Sequence, residues 1–166
     1  MTKAYAQTVT PARTQGDVTR ARLLDAAASL VAELGWGWVT TRAVADRAGV
    51  NQALVHYHFG NMDRLLREAV MARLEPEIRA LGDELLDDRP FPESIQRTMQ
   101  MLDRFDLHTD VGVLVAEALL RSTRDSAVSE AMAGLLGDWQ TLLEPRLVTA
   151  QQRGVVRDDL DARSLA

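Results

Sequence analysis

Between Thr40 and Phe59 the chain holds two short apolar-periodic stretches separated by a three-residue turn centred on Gly49. Small Ala45 and Ala48 allow two helices to approach closely. A glycine takes the sharp turn between them without a Cβ clash. This is the arithmetic of a helix-turn-helix, and it constrains the rest of the chain, because such a pair needs further helices to cover its apolar side. A helix over about Val18 to Leu34 supplies that cover, with Leu23, Leu24, Ala27, Leu30, Val31 and Leu34 on one face, and Gly35 where a helix-ending glycine belongs. Trp36-Gly37-Trp38-Val39 forms an apolar connector whose tryptophans should pack against that helix. Thr40 is a good N-cap for a helix over about Thr41 to Ala48, and Asn51 caps a third that ends near His58-Phe59-Gly60.

The 3.6-residue period continues downstream, and no stretch shows the strict alternation of a half-buried strand. Asn61 can cap a fourth helix carrying Leu65, Leu66, Ala69, Val70 and Leu74, which Pro76 should bend or break. Asp87 to Pro92 is acidic, Pro-flanked and linker-like. Further helices are expected at about Glu93–Phe105, Thr109–Ser122 and Ser126–Arg153, the last threatened by Gly134, Gly137 and Pro145 and stopped by Gly154. Asp161 looks like one more N-cap, yet five residues remain, so truncation is expected there. The expected fold is all-α. A flexible arm spans 1–17, and its Lys3 and Arg13 either touch DNA phosphates or idle. A three-helix helix-turn-helix DNA-binding domain spans 18–62, with its motif at 40–59. A second helical domain spans 63–166, and the resemblance set out below implies that it binds ligand and dimerises.

Several function classes fall away. The 166 residues contain no cysteine, which removes disulfide scaffolds, thiolate metal sites and cysteine nucleophiles. Neither GxxxxGK[ST] nor GxGxxG occurs, and no nucleophile, base and acid are tied to a Gly-rich loop, so no catalytic residues and no cofactor are expected. No apolar run approaches the ~20 residues of a membrane helix, and nothing near Met1 resembles a signal peptide, so a cytoplasmic protein without membrane contact is expected. The net charge is −5. Its distribution is uneven: residues 1–60 hold six Lys/Arg against four Asp/Glu, and the remainder is acidic. A mildly basic front and an acidic back suggest two modules with different partners.

Helix three sorts by spacing. Leu54, Val55 and Phe59 face the first helix, while Gln52, Ala53, His56 and Tyr57 are exposed. The exposed face has an amide, two hydrogen-bonding rings and no carboxylate, which suits phosphates and base edges. Ala53 is small enough to let the backbone sink into a major groove. His56-Tyr57-His58 does not read as a metal site, because i and i+2 diverge on a helix.

Taken together, Leu24-x-x-Ala27, Gly35, Thr41, Val44-Ala45-x-x-Ala48-Gly49-Val50, Tyr57-His58-Phe59 and Leu65-Leu66 resemble the DNA-binding domain of TetR-type transcriptional regulators over about Thr19 to Val70. The resemblance implies that Thr41 contacts a phosphate, that Arg42 reaches a base or phosphate, and that Asn51, Gln52 and Ala53 open the recognition helix. His56 stands where that family most often has tyrosine. His58 and Phe59 match its closing His-aromatic pair. Met62 departs from a phosphate-gripping lysine, although the backbone amides after Asn61 can still bind an anion. The resemblance further implies a homodimer on a palindromic operator in double-stranded DNA, most simply as a repressor, with a pocket for a small apolar or amphipathic effector in the second domain.

In that second domain Met99, Phe105, Met132 and Trp139 either line such a pocket or form plain core. His108 and Glu117 either supply its polar contacts or lie at helix ends. The dimer contact is expected on the last helix, whose stripe includes Val128, Leu135, Leu136, Leu142, Leu143 and Leu147. The rival function is a helical protein–protein adaptor that keeps the fold without reading DNA.

Overall fold

A computed structural model describes residues 14–85, 91–159 and 161, without the side chains of residues 85, 91, 92, 94, 95, 104, 142 and 146. Lys3, Arg13, the side chain of Leu142 and whatever Asp161 would cap therefore lie outside the described residues. Helices α1 (Gln15–Leu34), α2 (Thr41–Ala48), α3 (Ala53–Phe59), α4 (Met62–Leu85), α5 (Phe91–Leu102), α6 (Asp110–Ser122) and α7 (Ser126–Gln152) follow one another, and no strand occurs among the described residues.

Helix α1 starts about three residues before its apolar stripe suggests. The cause is a capping box: the Thr14 hydroxyl accepts from Asp17 N–H at 3.2 Å, and the Asp17 carboxylate accepts from Thr14 N–H at 3.0 Å. Pro76 does not break α4, nor does Pro145 break α7. Each proline removes one backbone bond, but flanking buried residues, Leu74 before the first and Leu143 and Leu147 around the second, hold both helices on course.

The core is continuous from the first helices into α4, α6 and the start of α7. Leu23, Ala27, Val31, Val44, Val55, Phe59, Leu65, Val70, Leu74, Leu114, Ala118 and Val128 are all fully or almost fully buried in one cluster. Helix α1 packs most extensively on α4, and also on α2 and α6; α7 packs on α4 and α6. Each buried Leu, Val or Phe contributes roughly 1.5–3 kcal/mol. The three N-terminal helices thus share a core with α4 and α6, which fixes the helix-turn-helix on the helices that follow it. Among the described residues no helix is long and apolar enough to cross a membrane.

Candidate nucleic-acid interface

Thr40 opens α2 by accepting Ala43 N–H at 3.2 Å, and Val44, Ala45 and Ala48 bury its inner face. Gly49 then adopts φ +64°, the left-handed region that a side chain would strain. Beyond the turn, Asn51 Oδ1 accepts Ala53 N–H at 2.8 Å and starts α3. With its oxygen committed to the cap, Asn51 presents its amide N–H groups outward.

Val55 and Phe59 anchor α3 in the core, and Leu54 is half-buried against it. Gln52, Ala53, His56 and Tyr57 are exposed, and Tyr57 is 81% exposed although it is a large ring. The His56 Nδ1 lies 3.2 Å from the Gly60 carbonyl, so Nδ1 carries the proton and donates. In the neutral form of the ring that leaves Nε2 as an acceptor, the complement of the amino groups of adenine and cytosine in the major groove. His58 differs from its exposed neighbours. It is half-buried, edge-on to Tyr57 with ring centroids 5.1 Å apart, and faces the start of α1 near Gly16. Its geometry fits a buttress for Tyr57.

Thr41 is half-buried, with its hydroxyl directed at the Met62 sulfur at 3.8 Å. The two residues that would flank a phosphate thus meet each other. Arg42 is exposed and pairs loosely with Asp46 at 3.6 Å. A surface i,i+4 pair of this kind is worth a few tenths of a kcal/mol and yields readily to a phosphate. Asn61 Oδ1 accepts Arg64 N–H at 2.8 Å, which caps α4 beside this group.

One brace escaped the sequence reading. Arg20 on α1 lies over the Phe59 ring, 5.1 Å from its centroid, and pairs with Glu68 of α4. Glu68 also accepts from Arg64 Nε at 2.7 Å. One guanidinium so ties the end of α3 to α1 and α4. Its signal was positional: Arg20 lies one turn before Leu23 and Leu24 on the apolar stripe, where an arginine needs a partner. Arg47 and Glu33 form a two-pronged pair at 2.7 and 2.8 Å that ties α2 to α1. Hydrogen bonding to Arg47 holds the Glu33 carboxyl below its ordinary range.

The pocket and dimer expectations need correction. Glu117 is engaged elsewhere: its carboxylate accepts the Trp36 backbone N–H at 3.1 Å and so grips the connector between α1 and α2. Beside it Arg121 stands over the Trp36 ring at 5.9 Å and reaches Asp63 at 3.5 Å and Asp125 at 3.2 Å. His108 is exposed and held by Asp106, 2.5 Å away. Met99 is 60% exposed, and Met132 belongs to the main core. Of the six, Phe105 and Trp139 line a cleft, together with Ile78, Leu81, Leu102 and Leu136. Val128 is fully buried in the main core, while Leu143 and Leu147 are buried with Trp139. These three are turned into their own protomer, because two helices, and not one, cover the broad stripe of α7. Leu135 is half-buried and Leu136 half-exposed. Trp36 packs inward as expected, but Trp38 is 79% exposed.

A family model described as bacterial regulatory proteins, tetR family, matches residues 23–69. The chain is 23% identical over 148 residues to the HTH-type transcriptional repressor NicS of Pseudomonas putida, covering 88% of this chain and 69% of that one. It is 36% identical over 66 residues to the HTH-type transcriptional regulator BetI of Brucella anthropi, covering 40% of this chain and 32% of that relative. Against BetI the chain thus spans about a third of the relative's length. Among solved structures, a transcriptional regulator from Streptomyces coelicolor is similar at 28% identity and TM-score 0.67, covering 89% and 92% of the two chains. One from Saccharomonospora viridis in complex with choline has 24% identity and TM-score 0.69, covering 88% and 76%. FadR of Bacillus subtilis in complex with stearoyl-CoA has 18% identity and TM-score 0.66, covering 87% and 77%.

Proposed function

We infer that the chain is a transcriptional regulator of the tetR type, since the family model matches its helix-turn-helix and the NicS repressor is similar over most of its length. It is a ligand-responsive DNA-binding regulator and not an enzyme. The finer reading is a repressor that binds a palindromic operator as a homodimer. The observation that carries it is the α3 face: Gln52, Ala53, His56 and Tyr57 stand exposed without a carboxylate among them, on a helix anchored by buried Val55 and Phe59. Thr41, Arg42 and the capped start of α4 flank that face with hydroxyl, guanidinium and amide donors for phosphates.

One short recognition helix reads too few bases to pick a site from a genome. Two of them, docked in successive major grooves about 34–36 Å apart, read enough, and the two-fold axis makes the operator palindromic. An effector then acts by linkage: it weakens operator binding to the extent that it prefers a conformer with mis-spaced recognition helices. Helix α6 supports this reading, since Glu117 and Arg121 hold the α1–α2 connector and the first turn of α4.

Selection of bound sequences from a random duplex pool, followed by titration of the enriched site against salt, tests the reading. A palindromic site is expected, with affinity falling steeply with log salt by a slope set by the phosphate contacts. Binding that is flat in salt and enriches no sequence would overturn the regulator in favour of the helical adaptor.

A further inference from the structure

The two ligand-bound neighbours hold opposite chemistries, since choline is a cation and stearoyl-CoA a polyanion, so only this chain's own residues decide between them. We propose that the cleft between α4 and α7 takes a small organic cation that carries an acceptor oxygen. The inference rests on the ligand-responsive reading and names the class of effector.

The cleft measures about 120 Å³ and is lined by Glu75, Ile78 and Arg79 from α4 and by Leu135, Asp138 and Trp139 from α7. Its charges do not balance. Arg79 is taken by Glu75 at 2.8 Å, while Asp138 makes no ion pair with any described residue. The lining therefore carries one uncompensated negative charge beside an indole ring. A carboxylate and an aromatic face together favour an ammonium group, and they repel the phosphates of a coenzyme A. The indole adds a second requirement. Its Nε1–H is buried and lacks a hydrogen-bond partner among the described residues, a state that costs free energy until an acceptor arrives. A hydroxyl, ether or carbonyl oxygen on the cation supplies one.

Size agrees with this. Ile78 and Trp139 are shared with the adjoining apolar cleft of about 150 Å³, whose far wall is Phe105. The two together approach the ~300 Å³ at the low end of small-molecule sites. That suits a compact cation with a short apolar part.

Calorimetric titration of the whole chain tests the proposal with three probes: choline, its neutral analogue in which carbon replaces the ammonium nitrogen, and stearoyl-CoA. Choline is expected to bind at least tenfold more tightly than the neutral analogue, and stearoyl-CoA not to compete with it. Asp138→Asn, an exposed change that leaves packing intact, should weaken choline about tenfold without altering the neutral analogue. Trp139→Phe keeps the ring and deletes the donor, and should weaken choline several-fold. Equal binding of choline and the neutral analogue, an unaffected Asp138→Asn variant, or preference for stearoyl-CoA would each overturn the cation. Salt-dependent retention of duplex DNA, measured on the same samples, separates the two levels. If retention persists while choline fails, the ligand class falls alone; if retention is also absent, the regulator reading falls with it.

Discussion

At the scale of single residues, exposure divides those proposed to read DNA from those that hold the fold. Tyr57 and Gln52 project from α3 without burying anything, so Tyr57→Ala and Gln52→Ala should each weaken operator binding by about 1–3 kcal/mol while leaving the melting temperature nearly unchanged. Gel-shift titration and calorimetry on the same preparations check this, and unchanged affinity in both variants would place the reading face elsewhere. Met62 makes the opposite case. Its sulfur faces the Thr41 hydroxyl at a helix start that is otherwise fit for an anion. Met62→Lys should tighten binding to specific and random duplexes alike and steepen the salt slope by about one ion, read from affinities at several salt concentrations. Which α3 residues point outward was legible from i, i+3, i+4 spacing alone. That His58 is half-buried beside Tyr57 was not, because it depends on where the start of α1 lies, and a long-range contact leaves no mark on local periodicity.

Among elements, the boundaries of α2 and of the turn after it were readable, since Thr40 and Gly49 act locally. Helices α4 and α7 were misjudged at Pro76 and Pro145 because tertiary packing outweighs a local penalty. The partners of the α7 stripe were hidden for the same reason: Val128 is apolar whether it meets its own core or a second chain. Two predictions belong here. A Cβ on Gly112 at the start of α6 would lie 2.0 Å from the Asp106 carbonyl oxygen and 2.6 Å from that of Phe105, both backbone atoms that cannot step aside. Gly112→Ala should therefore cost about 1–3 kcal/mol or more, seen as a lowered denaturation midpoint. The α1–α2 tie is titratable. Pairing with Arg47 depresses the Glu33 carboxyl, so its contribution is present above the ordinary glutamate range and is lost as pH falls through the depressed value. Glu33→Gln should thus melt earlier than the parent near neutral pH. The two should converge in acid, once the pH has fallen below the depressed Glu33 value and so below the ordinary carboxylate range.

For the whole molecule, a paired-groove mechanism needs two chains. Light scattering of the full-length protein at micromolar concentration should give twice the mass of one chain; a single-chain mass would remove the two-fold reader and the palindrome with it. The residues that stay exposed on α7 and α6, Leu136, Leu119 and Leu120, are where substitutions to charge test whether that contact uses these helices. Helix α6 also has two unlike ends. At one, Gly112 is wedged against the backbone carbonyls of Phe105 and Asp106; at the other, Glu117 and Arg121 hold Trp36 and Asp63 through charge and hydrogen bonds. A rod that is pinned by shape at one end and hooked by charge at the other behaves as a lever. A displacement of Phe105, the far wall of the cleft, would find no slack at the pin and would pass along the rod to the hook, where the α1–α2 connector is held.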